Sequence, residues 1–131
     1  MVKIGLDEAR SCLRRAELDL SDVAAYARQL HSGSVEIVAI TMGKAGAVVA
    51  YGDTAFLASP PAVKTINDYG SGDAFVAGFA AGLTERRCKN ECARLGTACG
   101  AANATGLLPG FVARSDVEML LERVRIRRLN C

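Results

Sequence analysis

The residues best equipped for chemistry lie between Thr65 and Leu83, in the run TINDYGSGDAFVAGFAAGL. The run opens polar and glycine-rich, with Asn67, Asp68, Gly70, Ser71 and Gly72, meets one acid at Asp73, and is then small and apolar from Ala74 to Leu83. That order predicts a tight loop feeding the start of a buried helix. Two glycines flanking a serine let the backbone turn and bring N–H groups close to a ligand. The first amides of a helix have no partners inside it, and the helix dipole makes that end partly positive. An anion, above all a phosphate, is the natural occupant. Asp73 then has two compatible roles. Aspartate caps helix amides and suits the dipole, and a carboxylate held beside an anion pocket can take a proton from an attacking hydroxyl.

A second glycine loop, Thr41-Met42-Gly43-Lys44-Ala45-Gly46, follows a strand-like run. Taken alone, Gly-x-x-Gly marks a turn. In KH RNA-binding domains it joins two helices, which the flanking strand patterns here disfavour. A Walker A loop needs Gly-Lys-Ser/Thr, which is absent, and a dinucleotide fingerprint needs a third glycine where Phe75 stands. A dehydrogenase-like dinucleotide domain is disfavoured on that ground. The only histidine, His31, falls at a helix end and has no second histidine to work with. Cys88 and Cys92 are one helical turn apart, but zinc needs about four ligands and no others converge in sequence.

The 131 residues are half apolar and carry a net charge of +2, so nothing electrostatic argues for nucleic acid or a membrane surface. The chain reads as one domain. No apolar run approaches the roughly 20 residues of a membrane helix, and MVKIGLDEAR lacks the apolar stretch of a signal peptide. Five cysteines (Cys12, Cys88, Cys92, Cys99, Cys131) at irregular spacing suit reduced thiols in a cytoplasm rather than a disulfide framework.

The elements that must position these residues follow from periodicity. Leu6–Leu13 predicts a short helix. A second helix starts at Ser21 as N-cap, repeats Val23, Tyr26, Ala27 and Leu30, and closes at Gly33. Val35–Ile40 is a buried strand, and the helix before it suggests a βαβ arrangement. Val48–Tyr51 and Ala55–Ala58 are strands around a Gly52-Asp53 turn. Pro60-Pro61 ends pairing, and Ala62–Ile66 reads as a last strand. The helix from Asp73 to about Leu83 is apolar all round and therefore buried, with Gly78 and Gly82 permitting close approach. A second small-residue helix runs from Cys88 to about Ala104, where Asn103 either caps the end or faces a ligand. Ser115-Asp116-Val117-Glu118 has the form of a capping box. Arg125, Arg127 and Arg128 suit a solvated edge strand or a frayed end. Residues 1–10 are either a frayed start, with Lys3 solvated and Glu8 at a helix start, or part of the site.

Gly70-Ser71-Gly72-Asp73-Ala74-Phe75-Val76-Ala77-Gly78-Phe79 resembles the C-terminal signature of the ribokinase / phosphofructokinase-B family of sugar kinases. Asn67, in place of the commoner Asp, is similar to the branch acting on phosphorylated sugars, 1-phosphofructokinase and tagatose-6-phosphate kinase. The resemblance implies an α/β fold, layered, Rossmann-like and of ribokinase type. It implies Asp73 as catalytic base and the amides of Gly70, Ser71 and Gly72 as an anion hole for the transferred phosphate. Thr41, Gly43 and Gly46 resemble the family's nucleotide-side glycine segment. Lys3 and Glu8 fall where the family has Lys-Pro-Asn-x-x-Glu, which would set Lys3 at the nucleotide phosphates and Glu8, indirectly, at a metal; Ile4 and Gly5 depart from that pattern. Asn103 lies where the family has its adenine pocket.

ATP and Mg²⁺ are the implied cofactors. A monovalent cation is implied only so far as Asp68 and Tyr69, which depart from the usual pair, still build its site. The implied partners are nucleotide and a sugar phosphate, without nucleic acid or membrane. The resemblance makes this chain the C-terminal, nucleotide-binding part of a kinase whose N-terminal part carries the lid and most sugar contacts. The face that part would cover is open to self-association or to pairing with another chain, and an isolated chain would be a poor catalyst. The alternative is a non-catalytic α/β module that binds a partner chain or only nucleotide.

Overall fold

The structure, a computed structural model, describes residues 1–130; Cys131 lies outside them. Five strands form one sheet in the order β1 (Val2–Gly5), β2 (Ile37–Thr41), β3 (Ala47–Tyr51), β4 (Thr54–Ser59), β5 (Arg125–Leu129). β1 and β2 are parallel and the remaining pairs antiparallel. The parallel pair is joined through α1 (Leu6–Leu13) and α2 (Leu20–Leu30), which is the expected βαβ unit. α3 (Ser71–Thr84), α4 (Lys89–Thr105) and α5 (Arg114–Leu121) follow β4.

The period-2 alternation of the strands divides the core into two layers. Ile37, Ala39, Val49 and Phe56 face α3, α4 and α5. Val38, Ile40, Val48 and Ala50 face α1 and α2. Buried on both faces, β2 and β3 are therefore continuous apolar runs, as expected of strands between helical layers. Gly52 turns the β3–β4 hairpin at φ 52°, and its N–H donates to His31 Nε2 at 3.1 Å. The lone histidine is thus a structural tie.

Several elements differ from the expectation. Residues 62–66 form no strand. β4 already has β3 and β5 as neighbours, and the N–H groups of Ile66 and Asn67 donate instead to the Ala104 carbonyl at the end of α4, at 2.8 and 3.2 Å. Residues 2–5 form a paired strand. Arg125–Leu129, by contrast, is the expected edge strand, and its arginines discourage further pairing. α2 is capped by Asp19, not Ser21: Asp19 accepts from Asp22 N–H at 2.8 Å, and Asp22 returns the bond to Asp19 N–H at 3.1 Å. It ends at His31, before Gly33. α5 starts at Arg114 without a side-chain cap, because Glu118 pairs with Arg114 Nε at 2.9 Å rather than returning to Ser115.

α3 and α4 form an antiparallel hairpin that positions the polar loop at its open end. A Cβ on Gly78 would lie 2.9 Å from Leu95 O, one on Gly82 3.0 Å from Cys92 Cα, and one on Gly96 2.7 Å from Phe75 O. Phe75 and Phe79 fill the space beneath, with ring centroids 6.0 Å apart. Burial pushes the Cys99 thiol up, as it does that of Cys92. Alkylation at neutral pH should therefore label exposed Cys12 and Cys88 before either, as peptide mapping would show.

Gly96→Ala tests the helix contact. Alanine gains up to about 1 kcal/mol in intrinsic helix propensity, but its methyl would meet a backbone oxygen that cannot rotate away. The net result expected in urea unfolding is a loss of about 1–3 kcal/mol. Gly33→Ala, which meets nothing within 4 Å, should stay within about 0.5 kcal/mol of the parent.

Candidate active site

The turn Asp68–Gly70 sets the start of α3. Gly70 takes φ 79° as N-cap, a conformation that glycine adopts without strain. Asn67 Oδ1 accepts from Tyr69 N–H at 2.8 Å, an Asx turn that shapes the approach. Ala74 N–H makes the first helical bond, to Gly70 O at 2.8 Å. The three preceding amides are the orphans of the helix start. Ser71 N–H donates to Asp68 O at 3.2 Å, and no acceptor among the described residues takes the N–H of Gly72 or Asp73. The amides open to an anion are those of Gly70, Gly72 and Asp73, so Asp73's own N–H replaces that of Ser71 in the expected set.

Asp73 does not cap the helix. No side-chain cap bond is made at this end. Its carboxylate is exposed and has no hydrogen-bond or ion-pair partner among the described residues.

Lys3 reaches the same place from β1. A Cβ on Gly72 would lie 2.7 Å from Lys3 Nζ. The ammonium therefore sits against the Cα of Gly72, beside the orphan amides, and only glycine leaves room for it.

The second glycine loop is a single 3-10 turn over Gly43–Ala45. Gly43 and Gly46 have φ 56° and 96°. At Gly46 a Cβ would fall 2.0 Å from Ala58 O, so no other residue fits there. Met42 N–H donates to Gly46 O at 2.8 Å and closes the loop. Thr41 Oγ1 contacts Ile4 O at 3.4 Å, a long bond that ties the ends of β1 and β2 together.

Both loops open on one cleft of about 710 Å³. Thr41, Gly43, Lys44 and Gly46 line one side, and Ser71 and Gly72 the other. Phe75, Val63, Ala101 and Ala104 supply an apolar wall. Lys44 was not singled out by sequence, though a lysine between two loop glycines is the signal that could have found it. Thr97 also lines the cleft, and its Oγ1 has no partner among the described residues.

Two expected site residues lie elsewhere. Asn103 does not face the cleft. It is fully buried, and its amide is spent on Tyr69 O, Ser71 Oγ and Gly110 N–H. Glu8 folds back to accept from Gly5 N–H at the start of α1 and is not part of the cleft wall. No group of three His, Cys, Asp or Glu side chains among the described residues could cage a metal. Mg²⁺ fits this site only as an ion carried by nucleotide phosphates and water, which needs no protein cage. No helix among those residues is long and apolar enough to cross a membrane.

Comparisons with known proteins give the chain a family and a fold. The chain is 40% identical over 98 residues to a 1-phosphofructokinase of Rhodobacter capsulatus, covering 75% of this chain and 31% of that protein. It is 24% identical over 127 residues to a tagatose-6-phosphate kinase of Staphylococcus epidermidis, covering 96% of this chain and 41% of the relative. A Staphylococcus aureus crystal structure named as a phosphofructokinase superposes with a TM-score of 0.89 at 27% identity, over 98% of this chain and 41% of that one. The chain thus spans well under half the length of these relatives, and the layered α/β sheet it shares with them is of the ribokinase type. Residues 1–111, which hold both glycine loops, Lys3 and Asp73, match the pfkB family carbohydrate kinases, and the chain belongs to that family.

Proposed function

We propose that this chain carries the phosphoryl-transfer centre of an ATP-dependent kinase acting on a hydroxyl of a sugar phosphate. The observation that supports the reading is convergence: the start of α3 at Ser71 and Gly72 and an independent glycine loop with Lys44 line one cleft, and the Lys3 ammonium sits against Gly72. ATP would lie along it, with the base against Phe75, Ala101 and Ala104 and the phosphates between Gly43–Gly46 and Gly72. Asp73 would take the proton of the sugar hydroxyl as its oxygen attacks the γ-phosphorus. The amides of Gly70, Gly72 and Asp73, with Lys3, would hold the charge on the transferred oxygens. Mg²⁺ bound with the nucleotide screens phosphate charge. Fructose-1-phosphate, fructose-6-phosphate and tagatose-6-phosphate are the acceptors to try, given the relatives' names. A cytoplasmic setting fits a nucleotide substrate and unpaired Cys12, Cys88, Cys92 and Cys99.

A second reading, a module that docks a partner chain or a second copy, has its own support. Ile66, Tyr69, Leu107, Leu108 and Phe111 are all more than half exposed on two adjoining loops. Light scattering separates the two: a monomer that binds Mg-ATP supports the kinase reading, and a stable oligomer without nucleotide affinity supports docking.

Isothermal titration with Mg-ATP should show saturable binding, and its absence would overturn the nucleotide assignment. Asp73→Asn should leave that affinity equal or slightly tighter. Phosphoryl transfer to the preferred sugar phosphate should fall by about 10²–10⁴, the usual contribution of a general base.

Gly72→Ala isolates Lys3. The new methyl would displace only the tip of a flexible side chain, so the melting temperature should hold within a few degrees. Mg-ATP affinity should drop roughly tenfold, the scale of one hydrogen bond to a charged group. Lys3→Met should match it, and a loss in only one of the two would break the link.

A further inference from the structure

We infer that Asn103 is a positioning residue that sets the anion-binding amides of Gly72 and Asp73 by locking the Tyr69–Ser71 turn to the loop at Gly110. The inference rests on the proposed reading of that turn as the phosphate site.

Asn103 lies in the last turn of α4 and is 0% exposed. An asparagine buried there must satisfy two N–H donors and a carbonyl. It does so across two separate segments. Nδ2 donates to Tyr69 O at 2.7 Å and to Ser71 Oγ at 3.0 Å, and Oδ1 accepts from Gly110 N–H at 2.7 Å. Both donors and one acceptor position are used, and none points into the cleft.

The surroundings show what this arrangement holds. Gly70 lies between the two clamped segments: a Cβ there would sit 3.3 Å from Gly110 N and 3.7 Å from Asn103 Oδ1. The end of α4 contributes two more bonds, with Ala104 O accepting from the N–H groups of Ile66 and Asn67. Those bonds fasten the approach to the turn. Asn67 Oδ1 holds Tyr69 N–H on one side of Gly70, whereas the Asn103 side chain holds both Tyr69 and Ser71, on either side of it. Gly72 and Asp73 are the next two residues, and their N–H directions follow from how Ser71 is held. An anion hole works through donors fixed before the charge develops, so a looser turn would weaken anion binding without disturbing Gly43 and Gly46 across the cleft. A general cap or core residue would have no such one-sided effect.

Amide NMR spectra of the ¹⁵N-labelled chain, with inorganic phosphate and then Mg-ATP as titrants, test this. In the parent, phosphate should move the Gly72 and Asp73 resonances. In Asn103→Ala, those two should shift and broaden before any ligand is added, phosphate affinity should fall about tenfold, and the Gly43 and Gly46 resonances should stay in place. Asn103→Asp keeps the acceptor for Gly110 N–H but turns a carboxylate toward Tyr69 O. It should leave the Gly110 resonance in place and still move Gly72. Should Asn103→Ala not fold, Ser71→Ala removes only the hydroxyl partner and should give the same one-sided pattern in weaker form. Unmoved Gly72 and Asp73 amides, or equal disturbance of Gly43 and Gly46, would overturn the inference. A parent chain that ignores both phosphate and Mg-ATP would overturn the kinase reading instead, while the ligand-free spectra would still decide what Asn103 holds.

Discussion

The architecture depends on how closely α3 and α4 approach. At Gly78 and Gly96 a side-chain carbon would lie within 3 Å of the other helix's backbone. Each helical glycine costs about 1 kcal/mol in propensity, a cost offset by dense contact across the interface. The helices run antiparallel, so the positive start of α3 lies beside the negative end of α4, an arrangement favourable to both dipoles. It also sets the carbonyl of Ala104 against the chain entering α3, where it accepts from the N–H groups of Ile66 and Asn67. The polar loop is therefore fixed from the α4 side, and the α3 amides are left open on the cleft side.

The electrostatics of the cleft follow from that placement. Lys3, Lys44 and the start of α3 all bring positive potential to one region in a chain whose net charge is only +2. None of the ion pairs among the described residues involves Lys3, Lys44 or Asp73. The pairs that do form, such as Arg15 with Asp22 and Arg114 with Glu118, lie on exposed surface and contribute little. The charges at the cleft are thus reserved. The Asp73 carboxylate, on the first turn of α3, is exposed and takes part in none of these pairs.

How much of this was legible in the sequence depends on the range of each signal. The buried strands and the α3–α4 hairpin were readable, because apolar runs and spaced glycines act locally. Residues 62–66 resemble a strand by composition, yet β4, the strand they follow, is already flanked by β3 and β5, and their end is tied to the Ala104 carbonyl instead. β1 is only four residues long, and its pairing with β2 is a contact 36 residues distant that no local pattern announces. The turn at Gly70 and the start of α3 are legible because helix-start signals are written in consecutive residues. Asn103 was not: an asparagine near a helix end reads the same whether it faces a ligand or a backbone, and only the fold shows that it is wholly enclosed.

The two glycine loops are bound to one place by topology. β1 and β2 are parallel, so their carboxyl ends, Gly5 and Thr41, emerge together, and open α/β sheets bind ligands outside such ends. The first strand brings Lys3 to that end, and the second runs directly into Gly43–Gly46. Gly46 cannot relax away, because it passes against the carbonyl of Ala58 on β4. One wall of the cleft is thus built by the sheet and the other by the α3–α4 hairpin. Each is rigid for a separate reason, helix packing on one side and strand register on the other. The spacing of the donors between the two walls is therefore set by the whole fold, which is how a cleft made largely of backbone atoms holds a defined geometry.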